Sequence, residues 1–487
     1  MKLENIISAI GGTAPQMSPA QAAIDATNFV IDSREIRAGD VFFALSQPEY
    51  ADNGFNGDFD DSTQYAAGAL AAGAVAVVLR EDRYEEHKAA LEPFADRLIF
   101  VKDSIAALQG LAHALYVEWS RPVVAVTGSA GKTTAKELTA HVLSGSGRKI
   151  LKNIKNYNNG LGHPLTVLNL AKDPSFDAAV LEMGMSTPLH EIERLCKITL
   201  PDVAVVLNVL PVHLEHLGTI ERIAQAKAEI VEGMRTGGTA VLNADDERVA
   251  AMAKLSKGEV ITYGIENAAD VRATDIRVQG FGETTFQLNI REESAFVRFP
   301  LNGRHNIMNA LAAAAVGIVF GMNVSEIAET LSTVAPPPQR GEILRFTEGF
   351  TVINDSYNSN PDALLSMVET LIEGSPENAR KIVVAGEMLE LGPEAAAIHF
   401  ATGEKVAKAG ADILIGVRGN GEELVKGANA SGLRAEFAAD SDAAAELVAE
   451  LVQPGDVLLV KGSRGVRTER VVEKLLEKYH REEETQA

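Results

Sequence analysis

A chain of 487 residues is too long for one hydrophobic core and predicts about three domains. Its 46% hydrophobic and 23% charged content is that of an ordinary globular protein. The formal charge of −22 excludes nucleic acid as an expected partner, because phosphate backbones need clustered Lys and Arg. The start, Met1-Lys2-Leu3-Glu4-Asn5, lacks the apolar core of a signal peptide, and no stretch is long enough to cross a membrane. The single cysteine, Cys196, leaves no internal disulfide and fits a reducing cytosol, so a cytoplasmic protein without membrane contact is expected. Flanked by Leu195 and close to Ile198, that thiol reads as buried and inert.

In chain order, Val41-Phe42-Phe43-Ala44-Leu45 and Ala74-Val75-Ala76-Val77-Val78-Leu79 alternate with alanine-rich helical stretches and predict a small α/β unit over 1–120. Arg121-Pro122 marks a boundary, and Val123-Val124-Ala125-Val126 is the first strand of a second unit, 121–338. Three more apolar runs there end in polar residues. Ala178-Ala179-Val180-Leu181 leads to Glu182, Val203-Ala204-Val205-Val206-Leu207 to Asn208, and Ala240-Val241-Leu242 to Asn243. Continuous apolar strands predict a parallel sheet covered on both faces, whose ligand sits beyond the carboxyl ends. The more alternating stretch from Val271 to Pro300 predicts an antiparallel insertion, followed by an alanine-rich helix from Met308 to Phe320. Pro336-Pro337-Pro338 reads as a stiff linker. A third α/β unit, 339–487, carries strands at Thr351-Val352-Ile353, Ile382-Val383-Val384-Ala385, Ile413-Leu414-Ile415 and Val457-Leu458-Leu459-Val460. The polar tail from His480 to Ala487 is expected to fray.

The strand at Val123 runs into Thr127-Gly128-Ser129-Ala130-Gly131-Lys132-Thr133-Thr134, which opens a helix from Ala135 to Leu143. A strand, a glycine turn and a helix N-terminus together cradle phosphate: amides and the positive helix end face the anion, and Lys132 adds a full charge. Thr133 can offer its hydroxyl to a magnesium ion. Two residues separate the glycines where the usual phosphate loop has four, which argues against ordinary kinases and GTPases. With a global charge this negative, a nucleoside triphosphate must be held by local positive groups and metal. Glu182 at a strand tip suits magnesium or is a solvated strand-end charge. His213, in Asn208-Val209-Leu210-Pro211-Val212-His213-Leu214-Glu215-His216, is a ligand or a hydrogen-bonded surface residue. Lys227, among Ala224, Ala226 and Ala228, reads by itself as a snorkelling surface lysine.

Taken together these segments resemble the Mur ligase family of cell-wall amide ligases, over nearly the whole chain. The resemblance rests on the short Gly-x-x-Gly-Lys-Thr loop, the strand-terminal Glu182, the Asn208 to Glu215 segment and Lys227. Further phrases point to the branch that joins D-alanyl-D-alanine to UDP-N-acetylmuramoyl-tripeptide. They are Asn156-Tyr157-Asn158-Asn159-Gly160-Leu161-Gly162, Leu181-Glu182-Met183-Gly184-Met185, Asn354-Asp355-Ser356-Tyr357-Asn358-Ser359-Asn360-Pro361, Met388-Leu389-Glu390-Leu391-Gly392 and Val460-Lys461-Gly462-Ser463-Arg464-Gly465. Departures are an Asn/Asp-rich loop from Gln47 to Asp58, His163 where a small apolar residue is usual, and Glu387 where aspartate is common.

The resemblance implies an α/β protein of three domains. These are an N-terminal UDP-sugar-binding domain, a central ATP-binding domain on a mostly parallel phosphate-loop sheet, and a C-terminal Rossmann-like ligase domain. It implies that Gly128, Ser129, Ala130, Gly131, Lys132, Thr133 and Thr134 wrap the phosphates of ATP. Thr133 and Glu182 would share one Mg2+, and His213 and a carbamylated Lys227 would hold a second. Asn306 would contact adenine, with Arg340 and Asp355 reaching the nucleotide from the third domain; Arg340 also reads as a surface arginine after a proline linker. Ser33, Arg34 and Asn159 would bind substrate. Lys132, Lys227 and His213 would carry the chemistry, in a monomer. Two rivals are a sister or folylpolyglutamate-type ligase with a different acceptor, and a nucleotide-gated binding module without ligase activity.

Overall fold

The computed structural model of the chain describes residues 1–53, 55, 60–154, 156–185, 190–211, 217–282, 284–335 and 338–482. Its strands form three sheets. The first is four-stranded and parallel, in the order β1 (Asn28–Val30), β2 (Asp40–Phe43), β3 (Ala76–Arg80), β4 (Leu98–Val101). The second contains β5 (Val123–Thr127), β6 (Ile150–Lys152), β7 (Ala178–Glu182), β8 (Val203–Val206), β9 (Thr239–Asn243) and β10 (Glu259–Gly264). It is completed by β11 (Val271–Val278), β12 (Thr284–Ile290) and β13 (Glu293–Phe299), in the order β13-β12-β11-β10-β9-β8-β5-β7-β6. From β6 to β11 the pairing is parallel, and β11, β12 and β13 meander antiparallel. The stretch expected as an antiparallel insertion is therefore continuous with the central sheet, because β10 and β11 pair directly.

The third sheet contains β14 (Glu342–Arg345), β15 (Thr351–Asp355), β16 (Lys381–Gly386), β17 (Ile413–Val417), β18 (Arg434–Ala438) and β19 (Val457–Lys461). Its order is β14-β15-β19-β16-β17-β18, and β14 is its antiparallel edge. Of the tail expected to fray, His480 to Glu482 are paired, and residues 483–487 lie outside the described residues. The Thr347 amide donates to His480 O at 2.9 Å and the Glu482 amide to Arg345 O at 2.9 Å, so the tail pairs with that edge strand. The segment read as a loop from Gln47 to Asp58 begins as a helix, Gln47–Asp52, whose Glu49 carboxylate accepts the Ser46 amide at 2.8 Å. Residues 54 and 56–58 of that segment lie outside the described residues, as do Pro336 and Pro337 of the expected linker.

Side-chain alternation on β5 explains the layering. Val123 and Ala125 enter one core and Val124 and Val126 the other, as the two-residue period of a strand requires. Helix Ser104–Trp119 belongs to an apolar cluster shared by the first two sheets: Ile105, Leu108, Leu111 and Leu115 are buried in it together with Val41, Phe43 and Val78 and with Val123 and Ala125. The opposite face of the second sheet is covered by helices Lys132–Gly145 and Arg304–Val319. The fully buried run Ala310 to Ala315 gives the second of these a small-residue surface for close packing. The third unit docks through Phe281, which lies after β11, is 8% exposed and sits in the core of the third sheet. The Arg345 guanidinium donates to Phe281 O at 2.9 Å.

Candidate active site

Parallel register brings the polar strand ends level. Val126 of β5 pairs with Glu182 of β7, and Thr127 with Val206 of β8. The turn beyond β5 needs glycine where it enters the helix: Gly131 has φ 81°, and a Cβ there would lie 2.7 Å from Asn309 Oδ1. Asn208 holds the turn from outside. Its Oδ1 accepts the Ala130 amide at 2.9 Å, its Nδ2 donates to Ala130 O at 3.2 Å, and its carbonyl accepts the Ser129 amide at 3.0 Å. Ser129 Oγ adds a bond from the Leu210 amide at 2.9 Å. The loop is thus preorganised, with the N-terminus of a long helix behind it. Lys132 folds back over the loop and donates to Gly128 O at 2.8 Å and Ser129 O at 3.3 Å. Burial lowers its pKa, Glu182 opposes that shift, and Arg340 adds to it.

Beside the loop, both carboxylate oxygens of Glu182 are engaged. Thr133 Oγ1 donates to Oε2 at 2.7 Å and Asn158 Nδ2 to Oε1 at 2.8 Å. Asn153 fixes the backbone at that point: its Oδ1 accepts the Glu182 amide at 3.0 Å and its Nδ2 donates to Glu182 O at 2.9 Å. Lys136 Nζ in turn donates to Asn153 O at 2.6 Å. A hydroxyl and a carboxylate in contact at the mouth of a phosphate loop are hard oxygen donors suited to Mg2+. Among the described residues no group of three or more His, Cys, Asp or Glu could hold a metal.

Lys227 lies in helix Ile220–Glu232 and is 2% exposed, which overturns its reading as a snorkelling surface lysine. Burial holds its pKa well below the lysine range, and the charge of Lys132 lowers it further. His213, expected beside it, lies outside the described residues.

Glu182 and the loop residues Ser129 to Thr134 line a cleft of about 660 Å³ between the second and third sheets. Asn306 lines it too, its Nδ2 donating to Asn302 O at 2.8 Å. So does Asn159, whose Oδ1 accepts the Leu161 and Gly162 amides at 3.2 and 2.9 Å and so shapes the turn before helix Gly162–Val167. On the third unit's wall Arg340 stacks 4.1 Å from the Tyr357 ring centroid, so it is no free surface arginine. Asp355 and Lys461, register partners on β15 and β19, form an ion pair. His305 and Ser366 bridge the two units at 2.9 Å, and burial drives that histidine down to about 4. Ser33 and Arg34 lie elsewhere, on the first unit; the Arg34 side chain is 87% exposed and pairs with Asp32 at 2.6 Å. Among the described lining residues, Lys132, Arg340, Lys461 and Arg464 face Glu182, Glu191, Asp355 and Asp362. The charges of these described lining residues nearly balance, which leaves the loop amides and the helix N-terminus as the groups suited to an anion.

Asn158, Asn208 and Asn153 hold the site's loop and carboxylate in place, and sequence reasoning assigned none of them a role. Asn158 stands in a quoted phrase and Asn208 at a strand tip, but nothing local tells which atom each one holds. His163 is a core residue, fully buried with Nε2 2.8 Å from Thr199 Oγ1, and desolvation lowers it to about 3. The buried Cys196 thiol is pushed up to about 12 by desolvation, as expected of an inert cysteine. Among the described residues no helix is long and apolar enough to cross a membrane.

A loop of this kind at the tip of a parallel sheet, faced by a second α/β wall, defines a nucleotide-dependent enzyme with a phosphate cradle. Comparison with known proteins supplies the family. The Mur ligase middle domain matches residues 126–317, and the Mur ligase glutamate ligase domain matches residues 339–464. A UDP-N-acetylmuramoyl-tripeptide–D-alanyl-D-alanine ligase of Mycobacterium tuberculosis is 35% identical over 95% of this chain and 95% of its own length. The crystal structure of MurF from Acinetobacter baumannii superposes with a TM-score of 0.83 at 27% identity, covering 98% of each chain. That of MurF from Thermotoga maritima in complex with ADP gives 0.78 at 28% identity, covering 95% of this chain and 99% of that one. The chain belongs to the Mur ligase family.

Proposed function

We propose that the chain is an ATP-dependent ligase that joins D-alanyl-D-alanine to UDP-N-acetylmuramoyl-tripeptide in cytoplasmic peptidoglycan precursor synthesis, acting as a monomer. The observation that carries this reading is the contact of Thr133 with Glu182 beside the clamped glycine loop, in a relative-length match to a named ligase. The tripeptide carboxylate attacks the γ-phosphorus, the bond to the β-bridging oxygen breaks, and ADP leaves an acyl phosphate. The neutral amine of the dipeptide adds to that carbonyl, loses a proton and expels phosphate, leaving an amide.

Bound Mg2+ would neutralise phosphate charge at the reacting end. Loop amides 128–134 would orient the phosphates, with Lys132 moving from its own loop carbonyls to the γ-phosphate. Thr133 and Glu182 would ligate one metal, and Asn158 would hold the carboxylate in the ligating orientation. A second metal would take His213 and a carbamylated Lys227. The support for that modification is a lysine only 2% exposed, whose pKa burial lowers well below the lysine range and so toward the neutral amine, the form that adds CO2 with release of a proton. A carbamate also replaces a cation that would repel metal. Asn306 would meet adenine, and Arg340 and Asp355 would reach the nucleotide as the third unit closes and excludes water. Asn159 would face the tripeptide, and Ser33 and Arg34, on the exposed surface of the first unit, the UDP end. The functional division is therefore 1–120 for the UDP-sugar, 121–338 for ATP and 339–487 for closure and acceptor.

The test is ADP release by purified protein with MgATP and UDP-linked tripeptide, with and without D-alanyl-D-alanine, and with amines used by sister ligases. Dipeptide-dependent release with a pentapeptide product supports the reading. Release driven better by glutamate or another amino acid overturns it in favour of a sister or folylpolyglutamate-type enzyme, and binding without turnover in favour of a nucleotide-gated module.

A further inference from the structure

We propose that Arg464 receives the terminal carboxylate of the acceptor dipeptide and so selects it; this rests on the ligase reading above. The dipeptide reacts through its amine, and its carboxylate enters the cleft unreacted. A carboxylate leaving water needs a charged hydrogen-bonding partner. Four cations line the cleft among the described residues: Lys132, Arg340, Lys461 and Arg464. Lys132 sits in the phosphate loop. Arg340 is stacked on Tyr357 at 4.1 Å and close enough to Lys132 to lower its pKa, so it faces the phosphates. Lys461 is neutralised by Asp355 and also donates to Asn358 O at 2.8 Å.

Arg464 remains. Its side chain is 61% exposed, on the third unit's wall, just after β19 and 5.7 Å from the Tyr357 centroid. Arg464 is ion-paired too, Nη1 to Glu469 Oε1 at 3.0 Å, but among the described residues that is its single hydrogen bond, so unlike the compact Lys461 ammonium it keeps most of its guanidinium fork for a ligand. A second polar group lies on the adjoining loop. Ser359 lines the cleft, is 7% exposed, and its hydroxyl has no partner among the described residues. Ser463 Oγ, donating to Ser359 O at 3.4 Å, ties the two loops together.

The experiment compares wild type, Arg464→Ala and Arg464→Lys, using D-alanyl-D-alanine and its C-terminal amide as acceptors with saturating MgATP and UDP-tripeptide. Wild type should prefer the acid by about tenfold or more in kcat/KM, the range of a charged hydrogen bond. Arg464→Ala should raise KM for the acid roughly tenfold to a hundredfold, abolish the preference, and leave KM for ATP within about twofold. Arg464→Lys should restore part of the preference, which also guards against a folding defect in the alanine variant. Equal use of acid and amide by wild type overturns the proposal without any variant. Loss of both acceptors alike, or a shift in KM for ATP instead, overturns it as well. No dipeptide-dependent ADP release from wild type overturns the ligase reading itself, and this proposal with it.

Discussion

Glu182→Gln keeps the size of the side chain at the mouth of the loop and removes its charge. In the structure both oxygens accept, from Thr133 Oγ1 at 2.7 Å and Asn158 Nδ2 at 2.8 Å. An amide presents one acceptor, so one charge-assisted bond is lost, a loss of about 1.5–3 kcal/mol. The threonine hydroxyl can rotate, so the donor–donor conflict falls on Asn158. If the same carboxylate ligates Mg2+, MgATP should bind roughly tenfold to a hundredfold more weakly, while metal-free ATP should change little. A second effect has a definite sign. Glu182 is the group that raises the Lys132 pKa against burial, so its neutralisation lowers that pKa further. The variant should then lose nucleotide affinity at a lower pH than wild type as pH rises, because the neutral lysine is reached sooner. Isothermal titration with ATP, with and without Mg2+, near neutral and at alkaline pH, reads both effects. A variant with wild-type MgATP affinity and unchanged metal dependence would refute the reasoning.

Lys132→Ala should lower turnover roughly a hundredfold or more, as removal of one preorganised charge partner commonly does; near-normal activity would remove its phosphate role. Lys227→Ala should be severely impaired and partly rescued by short carboxylates. The native protein should carry the added mass of one CO2 on that residue, and an unmodified lysine in the active enzyme counts against the carbamate. His163 holds no proton in the fold until about 3, against 6.5 for the free side chain. Its contribution to stability is present above 6.5 and is lost as pH falls through that window, because the unfolded chain binds the proton first. His163→Leu should therefore lose less melting temperature than wild type on acidification, and identical slopes would show that the histidine is irrelevant to acid stability.

The site became legible in the sequence where its information is local. A glycine turn between an apolar strand and a helix is written in contiguous residues, and buried parallel strands announce themselves as unbroken apolar runs ending in Glu182, Asn208 and Asn243. The family resemblance drew on the same local phrases. The short strands β1 and β6 and the edge strands β14 and β18 have no such signal, since brief or half-exposed strands carry little apolar contrast.

Tertiary structure alone decided which of these ends touch. Thr133 and Glu182 are 49 residues apart, and Ala130 and Asn208 are 78 apart. They meet because β5 lies between β7 and β8, an order that sheet pairing sets and local composition does not. The same holds for Lys227, whose alanine neighbours suit a surface helix or a buried one equally well. Only packing against the central sheet buries that amine, and desolvation then lowers its pKa well below the lysine range.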